Sequence, residues 1–245
     1  MIPKIIHQTW KNSIIPEEYI SYQQKVRDLH PGWEYRLWTD EDNLDLVKNH
    51  YPDFLKIYTE LPKNIMRADA IRYLIMDHIG GVYLDLDYEM FKPFDLLDYD
   101  LVLPLNRSIG FGDSFDSYGN CIFGSSPGYA FWKYAIDDLM VQRDYEEYFK
   151  TLKNKPYVPR HTKLEEAITG PAFLTRIFLE NKDSLSDYLL PPREMFHPVN
   201  SDRNRENIKL LSEGKTYGIH HCVGTWRNKS FPKKVLHKIK AILKS

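Results

Sequence analysis

Asp85 and Asp87, one leucine apart in the run LDLD, are the residues of this sequence best placed to do chemistry. On an extended backbone, side chains two apart point the same way, so both carboxylates converge on one point while Leu86 faces the other way. Two carboxylates so placed suit a hard divalent cation that shares oxygen ligands with a phosphate-bearing substrate. The D-x-D string alone carries little. Asp40-Glu41-Asp42 and Asp98-Tyr99-Asp100 have it too, and both read as polar turns or helix starts.

What sets Asp85 and Asp87 apart is the chain ahead of them. From Asn64, Ile65, Ala68, Ile71, Leu74, Ile75 and His78 recur at helical spacing, which predicts an amphipathic helix on a core. Gly80-Gly81 then ends it, because glycine takes the left-handed conformation that a helix C-terminus wants. Val82-Tyr83-Leu84 is an apolar run too short for a helix and reads as a buried strand. In open α/β sheets ligands sit outside the carboxyl ends of the strands, where this one delivers its aspartates. Asp69 and Arg72, three apart on the helix, are either a surface ion pair or part of the same site.

Near the other end stand His220 and His221. Adjacent residues of an extended segment face opposite ways, so at most one of the two readily joins the aspartates, and the spacing to Trp226 favours His221. Imidazole suits Mn²⁺ better than Mg²⁺.

The rest of the chain reads as alternating elements. Lys4 to Trp10 is a first strand. Pro16-Glu17-Glu18 opens a helix that runs to Leu29, with proline and acids in its first turn. Glu34 to Trp38 is a second strand, and Asp40 an N-cap for a helix through Val47. Leu101 to Leu105 is a further strand, Tyr129 to Arg143 a helix, and Thr169-Gly170-Pro171 the start of another. Leu189 to Pro198 returns as a sheet edge, where prolines are tolerated. Alternation of this kind predicts an α/β fold with a mixed, mostly parallel sheet.

The 245 residues, 42% hydrophobic, are enough for one substantial core. The net charge of −1 creates no field that would draw nucleic acid. Cys121 and Cys222 are the two cysteines and form no CxxC, so free thiols in a reducing compartment are expected. No apolar run approaches the roughly 18 residues of a membrane span, and a first strand at Lys4 leaves no room for a signal peptide. The expectation is a cytoplasmic protein. The last stretch, 229–245, has six lysines and no acid. Its apolar stripe of Phe231, Val235, Leu236, Ile239, Ile242 and Leu243 makes either a helix packed on the domain or one lying on an anionic membrane.

Three blocks together, IPKIIHQTW, RADAIRYLIMDHIGGVYLDLD and TYGIHHCVGTW, resemble the DXD-containing sugar-transferase family in the right order. This family groups initiating mannosyltransferases with capsule-synthesis enzymes; the glucosylating toxin domains are more distant relatives. The resemblance implies a GT-A-like nucleotide-sugar-binding fold as a single domain over 1–228. It implies that Asp85, Asp87 and His221 hold Mn²⁺ or Mg²⁺, and that Asp69 and Arg72 fix the donor sugar. His7, Trp10, Arg67, Tyr83, Asn120, Thr225 and Trp226 would bind the nucleotide sugar, Trp10 by stacking on the base. The implied reaction is retaining transfer of a hexose to a saccharide or lipid-linked acceptor, as in surface polysaccharide synthesis. UDP-glucose or UDP-galactose is the first expectation for the donor, GDP-mannose the second. Glu89, Asp113 and Asp116 are unanchored options for a carboxylate nucleophile. A metal-dependent nucleotidyl or phosphoryl transferase, or a non-catalytic carbohydrate-binding protein, are the alternatives.

Overall fold

The computed structural model describes residues 1–107, 116–155, 157–159, 161–197 and 213–223. Its first part runs β1 (Ile5–Thr9), α1 (Glu17–Leu29), β2 (Glu34–Trp38), α2 (Asp40–His50), α3 (Leu55–Glu60), α4 (Asn64–His78), β3 (Gly81–Leu84) and β4 (Tyr88–Met90). Then follow β5 (Leu101–Val102), β6 (Leu105–Arg107), β7 (Ser117–Tyr118), β8 (Ile122–Ser125), α5 (Ala130–Met140) and α6 (Tyr145–Leu152). The last are α7 (Leu164–Ile168), α8 (Pro171–Asn181), β9 (Tyr188–Leu189), α9 (Arg193–Phe196) and β10 (Gly218–His220).

Six strands form one sheet in the order β2-β1-β3-β8-β5-β9. β1 pairs in parallel with β2 and β3, and β5 with β9, while β8 runs against both its neighbours. The sheet is thus mixed and mostly parallel, as expected. β10 and β4 make a separate antiparallel ribbon with His220 opposite Tyr88.

Strand alternation sends side chains into two apolar layers. Tyr83 and Phe123 meet α4, α5 and α8 on one face. Val82, Leu84 and Ile122 pack on the other with Val26 of α1 and Phe196 of α9. Tyr73 of α4 lies stacked between Trp132 and Phe173, with centroids 5.7 and 5.8 Å away. The periodicity at α4 understates its burial. Met66 and every residue from Asp69 to Met76 are buried, while His78, assigned to the core face, is exposed. The helix is therefore enclosed on almost all sides, and its Asp69 and Arg72 are interior charges, not a surface pair.

Two other boundaries differ from expectation. Thr39, not Asp40, caps α2: its hydroxyl accepts the Asp42 N–H while the Asp42 carboxylate accepts the Thr39 N–H, a reciprocal capping box. The apolar run 101–105 divides into β5 and the start of β6.

Between α4 and β3 the Gly80 N–H bonds the Met76 carbonyl at 3.0 Å, and both glycines have positive φ. A Cβ on Gly80 would lie 2.6 Å from the Pro127 nitrogen, and one on Gly81 would lie 2.7 Å from the Ile5 carbonyl oxygen. Gly128 has positive φ but open space around it. Gly81→Ala is expected to cost about 3 kcal/mol or more, summing backbone strain and overpacking, and Gly128→Ala about 1–2 kcal/mol. Urea midpoints of the two variants check this, and equal losses would refute it.

Candidate active site

β3 ends at Leu84, and the aspartates stand on the turn that follows, where the Tyr88 N–H closes onto the Asp85 carbonyl at 3.0 Å. The extended-strand picture therefore does not hold over 85–87, yet the outcome survives. Leu86 is buried and the two carboxylates converge. The β4–β10 ribbon lays His220 against them, its Nε2 3.0 Å from Asp87 Oδ1 and 3.6 Å from Asp85 Oδ2. Ligand atoms of Asp85, Asp87 and His220 all lie within 4.8 Å of one another.

His221, the expected third ligand, is elsewhere. Its backbone N–H bonds the Asp87 carbonyl at 3.0 Å, but its ring stacks on Tyr22 at 4.8 Å and its Nε2 lies 3.1 Å from Glu89 Oε2. The ribbon's alternation gives the reason: one histidine must face the aspartates, and the register with β4 selects His220.

Behind the carboxylates sits Arg72. Its guanidinium lies 3.2 Å from Asp69 Oδ1 and 3.3 Å from Asp85 Oδ1, over the ring of Tyr83 at 4.8 Å. It also donates to the Ala68 and Asn120 carbonyls. Asp69 accepts from Asn120 Nδ2 at 3.0 Å and from the Thr169 hydroxyl at 3.2 Å. The Tyr83 hydroxyl donates to Asp85 at 2.8 Å. Asp69, Arg72, Tyr83 and Asn120 thus form one connected network with Asp85. Thr169, read from sequence as a helix start, joins it.

Burial raises the Asp69 carboxyl to about 7, against the pull of Arg72. Burial also raises Asp85, with Arg72 and His220 opposing. Asp87 goes the other way: burial is outweighed by its bonds from His220 and the Val223 N–H, and its pKa falls. His220 is raised despite burial, with Cys121 and Asp87 among the groups that hold its proton. A protonated imidazole between two carboxylates occupies the place of a cation. Oxygen donors with one imidazole are a donor set that fits Mn²⁺.

Other expected residues are dispersed. His7 is fully buried, donating Nε2–H to the Gly80 carbonyl at 2.8 Å while its Nδ1 accepts from Trp38 Nε1–H at 3.0 Å. Both ring nitrogens of His7, which the sequence resemblance put near the nucleotide, are committed to hydrogen bonds within the core. Trp10 is half-buried, edge-on to Tyr19 at 5.8 Å, and its buried Nε1 has no partner among the described residues. Arg67 points to a separate cavity and holds the Leu61 carbonyl and Asn64. Glu89 is engaged by His221 and Lys25, the latter at 3.4 Å. Thr225, Trp226, Asp113 and the 229–245 tail lie outside the described residues.

Residues 16–106 match the family described as the glycosyltransferase sugar-binding region containing a DXD motif. This stretch belongs to the DXD-containing sugar-transferase family. It is 38% identical over 183 residues to mannosyl phosphorylinositol ceramide synthase SUR1 of Saccharomyces cerevisiae, covering 74% of this chain and 43% of that one. Inositol phosphoceramide mannosyltransferase 1 of Schizosaccharomyces pombe is 38% identical over 198 residues, 79% of this chain and 54% of its own length. The chain therefore spans about half the length of these relatives. The ligand-free glycosyltransferase domain of the YGT toxin shares the fold, with a TM-score of 0.55, 9% identity, and coverage of 77% of this chain and 80% of that domain. The fold is of the GT-A type expected from sequence.

Burial lowers the His7 pKa from 6.5 to about 4. Between those values the unfolded chain binds more protons than the folded one, so stability rises with pH and is lost as pH falls from 6.5 towards 4. His7 alone is expected to remove about 2 kcal/mol between pH 7.5 and pH 5. Urea unfolding across that range checks it: the pH slope of His7→Gln should be shallower, and an unchanged slope would assign the loss to other groups.

Proposed function

We propose that the chain is a metal-dependent glycosyltransferase that moves mannose from a nucleoside-diphosphate donor to a hydroxyl of a saccharide or lipid-linked acceptor, with retention of configuration. The convergence of Asp85, Asp87 and His220 carries the reading. The names of the relatives, mannosyl synthase and mannosyltransferase, support mannose, the second of the two donors anticipated, over glucose or galactose.

In this reading Asp85, Asp87 and His220 would hold a divalent cation, manganese by their donor set. When bound, it offsets charge on the departing diphosphate. Arg72 holds Asp85 and Asp69 in place through two ion pairs. Asp69, with one oxygen on Asn120 and the other on Thr169, is in turn fixed beside Arg72. The acceptor oxygen forms its bond to the anomeric carbon as the bond to the diphosphate oxygen breaks. The acceptor proton passes to that departing oxygen, on the same face. Glu89, clamped by His221 and Lys25, is not posed as a nucleophile.

Release of free nucleoside diphosphate from a panel of UDP- and GDP-sugars, with Mn²⁺ and with chelator, tests the reading. Turnover should need the metal. Asp87→Asn and His220→Ala should each lower it on the order of 10–100-fold or more, and His221→Ala less. Turnover that persists in chelator would refute metal dependence, and a product of inverted configuration would refute same-face attack.

A further inference from the structure

Residues 220–223 wrap one aspartate. His220 Nε2 lies 3.0 Å from Asp87 Oδ1, the His221 N–H bonds the Asp87 carbonyl at 3.0 Å, and the Val223 N–H bonds Asp87 Oδ2 at 2.8 Å. Cys222 is the corner of this turn, exposed and in the left-handed region with a φ of 50°. A Cβ makes that conformation unfavourable, and glycine, asparagine and aspartate take it most readily. Among the described residues the other non-glycine with positive φ is Asp187, which is of the tolerant type. Backbone need alone therefore does not account for a cysteine at this corner. What cysteine brings is sulfur: Cys222 Sγ lies 3.3 Å from His220 Nδ1, within reach of a hydrogen bond.

The two nitrogens of His220 thus face different surroundings. Nε2 meets the carboxylates of Asp85 and Asp87, and Nδ1 meets a thiol. An imidazole that ligates through Nε2 carries its proton on Nδ1. With the proton on Nε2 instead, the ring has no lone pair to offer between the aspartates. Histidines that ligate metals donate their second N–H to a fixed acceptor, and Cys222 stands where that acceptor belongs. Sulfur is a weak acceptor, so the contact depends on the turn that holds it. The His221 and Val223 bonds to Asp87 fix the chain on both sides of Cys222.

We propose that Cys222 is a positioning residue of the cation site. Its sulfur accepts the Nδ1–H of His220, which sets the ring's orientation and leaves Nε2 to face Asp85 and Asp87. The inference rests on the metal-dependent reading above.

Binding of Mn²⁺ to the full chain, read from the electron paramagnetic resonance signal of the free ion, tests this without turnover. Cys222→Ala keeps the Cβ and its backbone strain but removes the acceptor. Cys222→Ser keeps both, and Cys222→Gly removes both. Affinity for Mn²⁺ should fall on the order of 10–100-fold in the alanine and glycine variants and stay within about threefold of native in the serine variant. Cys222→Gly should nonetheless unfold at a urea midpoint no lower than that of Cys222→Ala, so that the loss of binding does not follow stability. Native affinity in Cys222→Ala, or equal losses in Cys222→Ala and Cys222→Ser, overturns the inference and leaves the metal-dependent reading standing. No binding by the native chain, or binding untouched in His220→Ala, overturns both.

Discussion

Arg72 is the charge on which this structure turns. A guanidinium with 4% of its surface exposed cannot be tolerated alone in a protein interior, because stripping its water costs several kcal/mol. Here burial works against its charge, but Asp85, Tyr83 and Asp69 outweigh it and hold it protonated. The same contacts tie α4 to the end of β3 and to the segment before β8 through the Asn120 carbonyl. One side chain thereby fixes the helix, the central strand and its neighbour relative to one another. Its two carboxylates are the ones that the proposed chemistry needs in a defined place.

The packing around this pair explains why it stays dry on one side and open on the other. Tyr73, Trp132 and Phe173 stack behind α4, and Phe123 packs on Tyr83 at 5.4 Å, so large aromatic surfaces exclude water from the rear of the charges. On the open side Asp85 and Asp87 remain partly accessible, and among the described residues the β4–β10 ribbon leans over them. Asp69 and Asp87 illustrate the contrast. The fully enclosed acid is pushed up, while the acid beside His220 and the Val223 N–H is pulled down.

Much of this was legible in the sequence where the physics is local. Gly80-Gly81 and the short apolar run follow from backbone preference, and the structure has them in that order; the aspartates converge as expected, though through a turn and not through strand alternation. Asp69, Arg72, Tyr83, Asn120 and Asp85 do gather into one network. What depends on long-range register was not legible. His220 or His221 could not be chosen without knowing which residue of β4 it would face. His7 sits in a strand that resembles a ligand-bearing one, but its two nitrogens are consumed by a glycine carbonyl and an indole N–H from elsewhere in the chain. The amphipathic reading of α4 failed because helical spacing reports one apolar face, and it is blind to polar residues that are buried by pairing.

His220 reaches Asp87 across 133 positions of sequence. The aspartates and their arginine partner belong to a contiguous stretch that can come together early, from helix, turn and strand alone. The imidazole arrives only when the distant β10 strand has been made and has found β4. During synthesis from the N-terminus, the proposed cation site is therefore open on one side until the chain beyond residue 220 has emerged and docked. The order of assembly separates building the scaffold from completing the proposed site.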